Sequence, residues 1–335
     1  MAKFKPNVND VAGIELEPEG TPVVRIRRAD GGYTLLGAGI LPGVLSSVEG
    51  ETPKPSALDI PHGLRAKYGA IAVGSAKSVV KLVSLPGALD AVGESKLVDA
   101  LGLDNPESYR IGHRPVTEGH GRGETRVLVA ALPETMAAAV PRLIPSGFPV
   151  PYAIEVSDFA VLTAFSHAQA STPTTGGQVL IHFGNSGTVF AIFSKTALAL
   201  VRRFDMGTSS LLSRIQDSYG VDENTARGML SDSAFDISNL VKELLDPVTK
   251  QMVMGRDFVE RRENCRTEKI FASGDLAASP SALSELQSAL GLKIGPWDPF
   301  AAVNGGLDCL SPDQAKQSWR FAAAIGAAIA AIEEA

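Results

Sequence analysis

Residues 178–194 read Gln178-Val-Leu-Ile-His-Phe-Gly-Asn-Ser-Gly-Thr-Val-Phe-Ala-Ile-Phe-Ser194. Two apolar, β-rich runs, Val179 to Phe183 and Val189 to Phe193, flank the turn Gly184-Asn185-Ser186-Gly187-Thr188. The pattern predicts a hairpin whose turn presents backbone N–H groups and small hydroxyls at one point. Unpaired N–H groups form a partial positive concavity, and glycine lets an anion approach the backbone, so such a turn can cradle phosphate. On the motif alone, an ordinary glycine-rich hairpin turn is the default reading. Its context along the chain shifts the balance.

Immediately before the hairpin, Ala170-Ser-Thr-Pro-Thr-Thr-Gly-Gly177 is small, polar and aperiodic, and reads as a linker. Near the start, Val11 to Leu41 predicts three short strands, Ala12 to Glu17, Val23 to Arg27 and Tyr33 to Leu36, with turn residues at each break. A strand meander at the start and a hairpin past the middle suggest two related halves, although no residue-level repeat joins them. Further strands are expected over Ala70 to Val73, Val79 to Leu85 and Arg126 to Ala131, with loops at Gly50 to Ser56 and Glu118 to Glu124. Helices are expected over Glu94 to Leu101, after Pro133, and from about Glu155 to His167. Beyond the hairpin, helices are predicted at Thr208 to Tyr219, Asp222 to Leu230 and Phe235 to Glu263, with Thr208 and Asp222 as N-caps. Lys269 to Gly274 reads as a strand, and Ser281 to Leu290 as a helix closed by Gly291. A last helix, Pro312 to Ile332, carries Ala322, Gly326 and Ala330 on one face, which suits close packing on a sheet.

The bulk properties bound the function. At 335 residues the chain can bury one large core or two domains. Its 44% hydrophobic content indicates a soluble globular protein, and its net charge of −6 argues against nucleic acid as a partner. Arg25, Arg27 and Arg28 sit on an expected strand beside acids and read as a solvated face. The two cysteines, Cys265 and Cys309, fit neither a metal-ligand spacing nor a disulfide framework, so no metal site is expected from them. Met1 to Asp10 is charged and polar and does not read as a signal peptide. The apolar stretch Phe321 to Ile332 is too short to span a bilayer. A cytoplasmic protein without direct membrane insertion is the expectation. No Gly-x-Ser-x-Gly elbow, His-Glu-x-x-His helix or Walker loop appears.

The order of these elements resembles the actin-like ATPase superfamily, in particular the PilM family of type IV pilus assembly and more distantly the FtsA division proteins. The resemblance implies an α/β, ribonuclease H-like fold of two domains around a nucleotide-type cleft, with a small inserted subdomain. It places a first domain at residues 8–170, with the insertion at about 85–150, completed by a terminal helix at 312–335. A second domain would cover 178–311, with a helical subdomain at about 208–265. It implies ATP and magnesium as ligands, gripped by two phosphate hairpins. The second hairpin maps onto His182, Gly184, Asn185, Ser186, Gly187 and Thr188, followed by Arg203, Met206, Gly207 and Thr208. The nucleoside helix maps onto Glu223 to Leu230, including Arg227, and the adenosine turn onto Ser273, Gly274 and Asp275. The resemblance also implies a partner, the cytoplasmic tail of a PilN-like inner-membrane protein docking in a groove of the first domain near the insertion, and it leaves self-association open.

The departures from that pattern weigh as much as the matches. The first hairpin reads Gly13-Ile-Glu-Leu-Glu-Pro-Glu-Gly20, so Glu15 stands at the metal-side aspartate and Glu17 at a phosphate-contacting glycine. Glu15, Glu17 and Glu19 would crowd a triphosphate, since like charges repel unless a cation intervenes. His182 replaces an aspartate of the second hairpin, and Asp275 a glycine of the adenosine turn. A packed, hydrogen-bonded histidine is the preferred reading of His182, and His113 and His120 read as loop residues. Arg202 and Arg203 alternate on a strand, so at most one could face a phosphate. Asp205 reads as a salt-bridge partner or turn former. Glu15 is the one carboxylate placed to organise a catalytic water. The expected function is a PilM-like scaffold, peripheral to the inner membrane through its partner, with weak or lost ATP turnover. A working actin-like ATPase or an FtsA-like protein is the alternative.

Overall fold

The computed structural model describes residues 7–29, 31–44, 58–86, 94–117, 124–144, 147, 149–170, 174–232, 235–305 and 307–335. The first sheet comprises β1 (Asp10–Leu16), β2 (Thr21–Ala29), β3 (Gly32–Leu41), β4 (Tyr68–Val73) and, after an insertion, β8. The insertion is built from β5 (Val79–Pro86), α1 (Glu94–Leu101), β6 (Tyr109–Thr117), β7 (Glu124–Pro133) and α2 (Glu134–Leu143), and its three strands form a separate sheet of order β5-β7-β6. The chain then returns through β8 (Val150–Val156) into α3 (Ser157–Ala170). The second sheet uses β9 (Gly177–Phe183), β10 (Thr188–Ser194) and β11 (Ala197–Phe204), followed by α4 (Thr208–Tyr219), α5 (Glu223–Ser231) and α6 (Ser238–Arg262). β12 (Thr267–Gly274), α7 (Pro280–Leu290) and β13 (Ile294–Pro296) complete it, and α8 (Pro312–Ala315) and α9 (Ala322–Glu334) close the described chain.

The two five-stranded sheets share one plan, β3-β2-β1-β4-β8 and β11-β10-β9-β12-β13. In each, three strands form an antiparallel meander and two more add in parallel to its first strand. The expected relation between the halves is thus present in topology. Central strands covered on both faces lose the apolar–polar alternation. β9 is accordingly buried at every residue, and β1 from Val11 to Leu16.

α3 lies between the sheets. Phe165, fully buried, has its ring 5.1 Å from Phe193, 5.6 Å from Phe271 and 5.3 Å from Trp297, all carried by the second half. One continuous core therefore joins the two halves. A second core lies where α4 to α7 cover the second sheet, and a third under the inserted sheet and α1.

Several elements differ from the sequence expectation. The last helix is broken: Ser311 and Gln314 form a capping box for α8, a 3-10 turn follows at Ser318–Phe321, and α9 begins only at Ala322. Within α9 it is Ala324 and Ala328, not the Gly326 face, that meet the sheet, at Gly13; Gly326 sits against α3. Glu155 lies in β8 rather than a helix, because Val150 to Val156 continues as a parallel partner of β4. His113 lies in β6, whose glycine and proline obscure a half-exposed edge strand. Gly207, not Thr208, is the N-cap of α4, while Asp222 caps α5 as expected, accepting from the Thr225 N–H. Arg25 and Arg27 both pair with Asp10. The loop at 50–56, His120 with residues 118–123, and residues 171–173 of the linker fall outside the described residues. No helix among the described residues is long and apolar enough to cross a membrane.

The α9 contacts are backbone-close. A Cβ on Gly326 would lie 1.7 Å from the Ala160 carbonyl oxygen, and one on Gly13 would lie 2.0 Å from that of Ala324. Neither oxygen is on a side chain that could swing away. Gly13→Ala and Gly326→Ala should each lower stability by about 1–3 kcal/mol through overpacking. Gly112 is the control, because a Cβ there would meet nothing within 4 Å. Gly112→Ala should stay within roughly 0.5 kcal/mol of wild type in the same denaturant titration.

Candidate functional site

A narrow cleft opens where four segments of the two halves converge. They are the β1–β2 turn, the β9–β10 turn, the end of β12 and the 3-10 turn before α9. Glu15, Glu17 and Glu19 line one side, His182, Gly184 and Asn185 another, and Gly274, Asp275, Trp319 and Arg320 the floor and rim. The free space between them is about 40 Å³. That is room for a water or two, where small-molecule pockets run to roughly 300–1,000 Å³.

The sequence-predicted site residues divide into groups. Glu15, Gly184, Asn185, Gly274 and Asp275 line the cleft. Ser186 and Gly187, on the same turn, face the Arg203 guanidinium instead; a Cβ on Gly187 would lie 2.6 Å from its Nη2. Thr188 is fully buried and donates its hydroxyl to the Met206 carbonyl at 2.6 Å. Thr208 is buried as well. Gly207 packs directly under the turn, where a Cβ would come 2.3 Å from the Asn185 carbonyl oxygen.

The first amide of the turn is turned inward rather than presented to a ligand. The Gly184 N–H donates to the Gly187 carbonyl at 2.9 Å, closing the turn on itself. The first amides of α4 point at the same turn: Thr208 N–H donates to the Gly184 carbonyl and Ser209 N–H to that of Asn185, both at 3.0 Å. A helix N-terminus is a ready anion site only while those N–H groups are open. Here they hold the hairpin.

The charges in the cleft are matched within the chain. Arg227, on α5, pairs with Glu19 of the first hairpin, with Glu223 at 2.9 Å and with Asp275 at 3.6 Å. Trp319 Nε1 donates to Asp275 at 3.1 Å. Burial pushes the Glu15 carboxyl well above the usual range, and the Glu17 charge pushes it the same way. Burial also pushes Glu17 up, to about 7, against the pull of Arg320. A carboxyl held neutral by burial is poorly suited to orient a metal-bound water as a base. His182 Nδ1 sits 3.2 Å from the Ser273 hydroxyl, and burial drives the imidazole down to about 4 against the attraction of Asp275. It is thus the packed, hydrogen-bonded histidine that the sequence favours.

Sequence reasoning misses Trp319 and Arg320, which it places in the middle of a helix. The Ser-x-x-Gln capping box at Ser311 marks where α8 begins, as the sequence reading has it, but carries no signal for the break before Phe321. It also misses Asp158 and Ser75 as partners of Arg203, the phosphate candidate of the sequence pattern. Arg203 donates through Nε to Asp158 at 2.9 Å, through Nη1 to Asp205 at 2.5 Å and through Nη2 to the Ser75 carbonyl at 3.2 Å, while Arg202 is exposed. Among the described residues no cluster of His, Cys, Asp and Glu could hold a metal ion.

Comparison with solved structures fixes the architecture. A chain of the PilM-PilN type IV pilus biogenesis complex superposes with a TM-score of 0.76 at 19% identity, over 98% of this chain and 99% of that one. The fold is actin-like. A Bacteroides thetaiotaomicron protein with an actin-like ATPase fold and unknown function aligns over 95% of this chain and 99% of its own, with a TM-score of 0.47 at 11% identity. An archaeal actin homolog aligns over 97% of this chain and 100% of its own, with a TM-score of 0.44 at 12% identity. No protein-family model matches the sequence, and no curated protein matches it.

Two titrations in this cleft oppose each other. Glu17 binds its proton more tightly folded than unfolded, so its contribution to stability is present below about pH 4.5 and is lost as the pH rises through about 7. Glu17→Gln should therefore stabilise the protein at pH 8, on the order of 1 kcal/mol, with a smaller effect at pH 4.5. His182 is the reverse case: its contribution is present above about pH 6.5 and is lost as the pH falls through about 4. His182→Asn should flatten the acid limb of the melting temperature without changing the alkaline limb.

Proposed function

We propose that this protein is a PilM-like scaffold of a type IV pilus or related secretion system, binding the cytoplasmic tail of an inner-membrane PilN-like protein. The carrying observation is the end-to-end superposition on a chain of a PilM-PilN complex, which leaves no part of either chain outside the match larger than a few residues. The reading places the protein in the cytoplasm, peripheral to the membrane through its partner. The tail would dock in a groove of the first domain beside the inserted sheet.

In the same reading the nucleotide site is degenerate. A triphosphate does not fit the residues present: three glutamates of the first hairpin line the cleft, the free space is water-sized, and the Gly184 N–H of the second hairpin and the first amides of α4 are engaged. The two arginines at the rim already face carboxylates, Arg227 facing Glu19 and Asp275, and Arg320 facing Glu17. α9 itself is buried continuously from Ala322 to Ile332 and has no apolar face left for a bilayer.

Titration calorimetry tests this reading. The titrant is a synthetic peptide with the sequence of a PilN-like protein's cytoplasmic tail. One-to-one binding at micromolar affinity is expected, and absence of binding overturns the partner assignment. The degenerate site is tested separately by melting with Mg-ATP. A site at 100-fold saturation would add about 2.7 kcal/mol, several degrees for a chain of this size. A shift under ~1 °C is expected, and a shift of several degrees favours the working ATPase.

A further inference from the structure

The Arg203 guanidinium is the most heavily engaged charged group at the junction of the two halves. It is carried by β11 of the second half, yet two of its partners, Asp158 and the Ser75 carbonyl, belong to the first. Ser75 lies in the loop after β4, and Asp158 in the first turn of α3. Its side chain is 8% exposed and that of Asp158 is 13% exposed, whereas Arg227 and Glu19, another pair that joins the halves, are 28% and 42% exposed. Exposed pairs contribute little, but a buried charge that loses its partner is strongly penalised. Burial raises the Asp158 carboxyl, so its charge is sustained by Arg203 and by the N-terminal end of α3. The same guanidinium also stacks under Gly187 and reaches the Ser186 hydroxyl at 3.5 Å, so it supports the second hairpin while it holds the first half.

We propose that Arg203 is an interdomain latch, holding the cleft closed by a cation built into the chain through Asp158 and the Ser75 carbonyl. The two halves then need no bound ligand to stay together at the cleft. Opening the cleft must break the fork of hydrogen bonds and leave Asp158 buried without a counter-charge. This proposal does not depend on the identity of any partner.

Hydrogen–deuterium exchange on the full chain tests it, comparing wild type with Arg203→Ala, Arg203→Lys and Asp158→Asn. The readout is reciprocity across the junction. Arg203→Ala should speed exchange about tenfold or more at the Ser78 amide, which is bonded to the Ser75 carbonyl, and in the first turns of α3. Asp158→Asn, which preserves side-chain shape, should do the same at the Gly184 and Thr208 amides of the second half. Arg203→Lys keeps the charge without the fork and should fall between. The central strands, 70–72 and 180–182, should exchange as in wild type in every variant. Changes confined to the half that carries the substitution overturn the latch, as does no change at all. If Arg203→Ala does not fold, Asp158→Asn and Arg203→Lys carry the same test.

Discussion

The packing of α9 against β1 on one side and α3 on the other is the constraint from which the site follows. Both contacts bring backbone against backbone at a glycine, Gly13 in the strand and Gly326 in the helix. With β1 fixed, its end and the turn after it deliver Glu15 and Glu17 to the cleft. With α3 fixed, its first turn places Asp158 against Arg203. The residues just before α9, Trp319 and Arg320, are carried to the same point, and Arg320 comes within 2.9 Å of where a Cβ on Gly20 would lie. Side chains from three distant stretches of sequence thus converge because two glycines allow close approach some distance away.

Inside the cleft, desolvation outweighs local attraction. Glu15, Glu17 and Asp158 each have a cation nearby, and each is nonetheless pushed toward the neutral form, with burial the leading cause. His182 follows the same rule with the opposite sign. Arg227, Glu19, Asp275 and Trp319 are arranged around each other. The two sheets reach this state asymmetrically. The first turn, Glu17-Pro18-Glu19-Gly20, supplies acids, and the second, Gly184 to Gly187, supplies backbone folded onto itself and onto α4.

Much of this architecture is legible in the sequence because it rests on local signals. The hairpin at 178–194, the three-strand meander and the glycine closing α7 each carry turn or capping chemistry that needs no tertiary contact. What is illegible depends on partners remote in sequence. β8 is a strand because β4 lies beside it, and its tyrosine, isoleucine and glutamate fit either state alone. β6 is an edge strand with glycine and proline in it, so alternation is weak where only one neighbour enforces it. The Ser311 to Gln314 box marks the start of α8, but the break before α9 has no local signal and is masked by the alanine-rich run that follows. Site residues are found where a motif names them, and their roles are misjudged where a distant partner decides them. Arg203 is the clear case, since nothing within residues 178–208 points to Asp158 or Ser75.

The distribution of charge gives the shared fold plan its meaning. Among the pairs that cross the cleft, the first half contributes Glu19 and Asp158, and the second contributes Arg227 and Arg203. Each of these pairs sets an acid of the first half against an arginine of the second, while Arg320 and Asp275 bring the opposite sign to each side. Brought together they cancel, and the apolar contacts of Phe165 with Phe193, Phe271 and Trp297 hold them in register. A fold that closes on an anionic ligand must keep cationic or N–H donors open on both faces of its cleft. A fold that closes on itself can instead pair its own charges across the gap, as Arg227 does with Glu19 and Arg203 with Asp158.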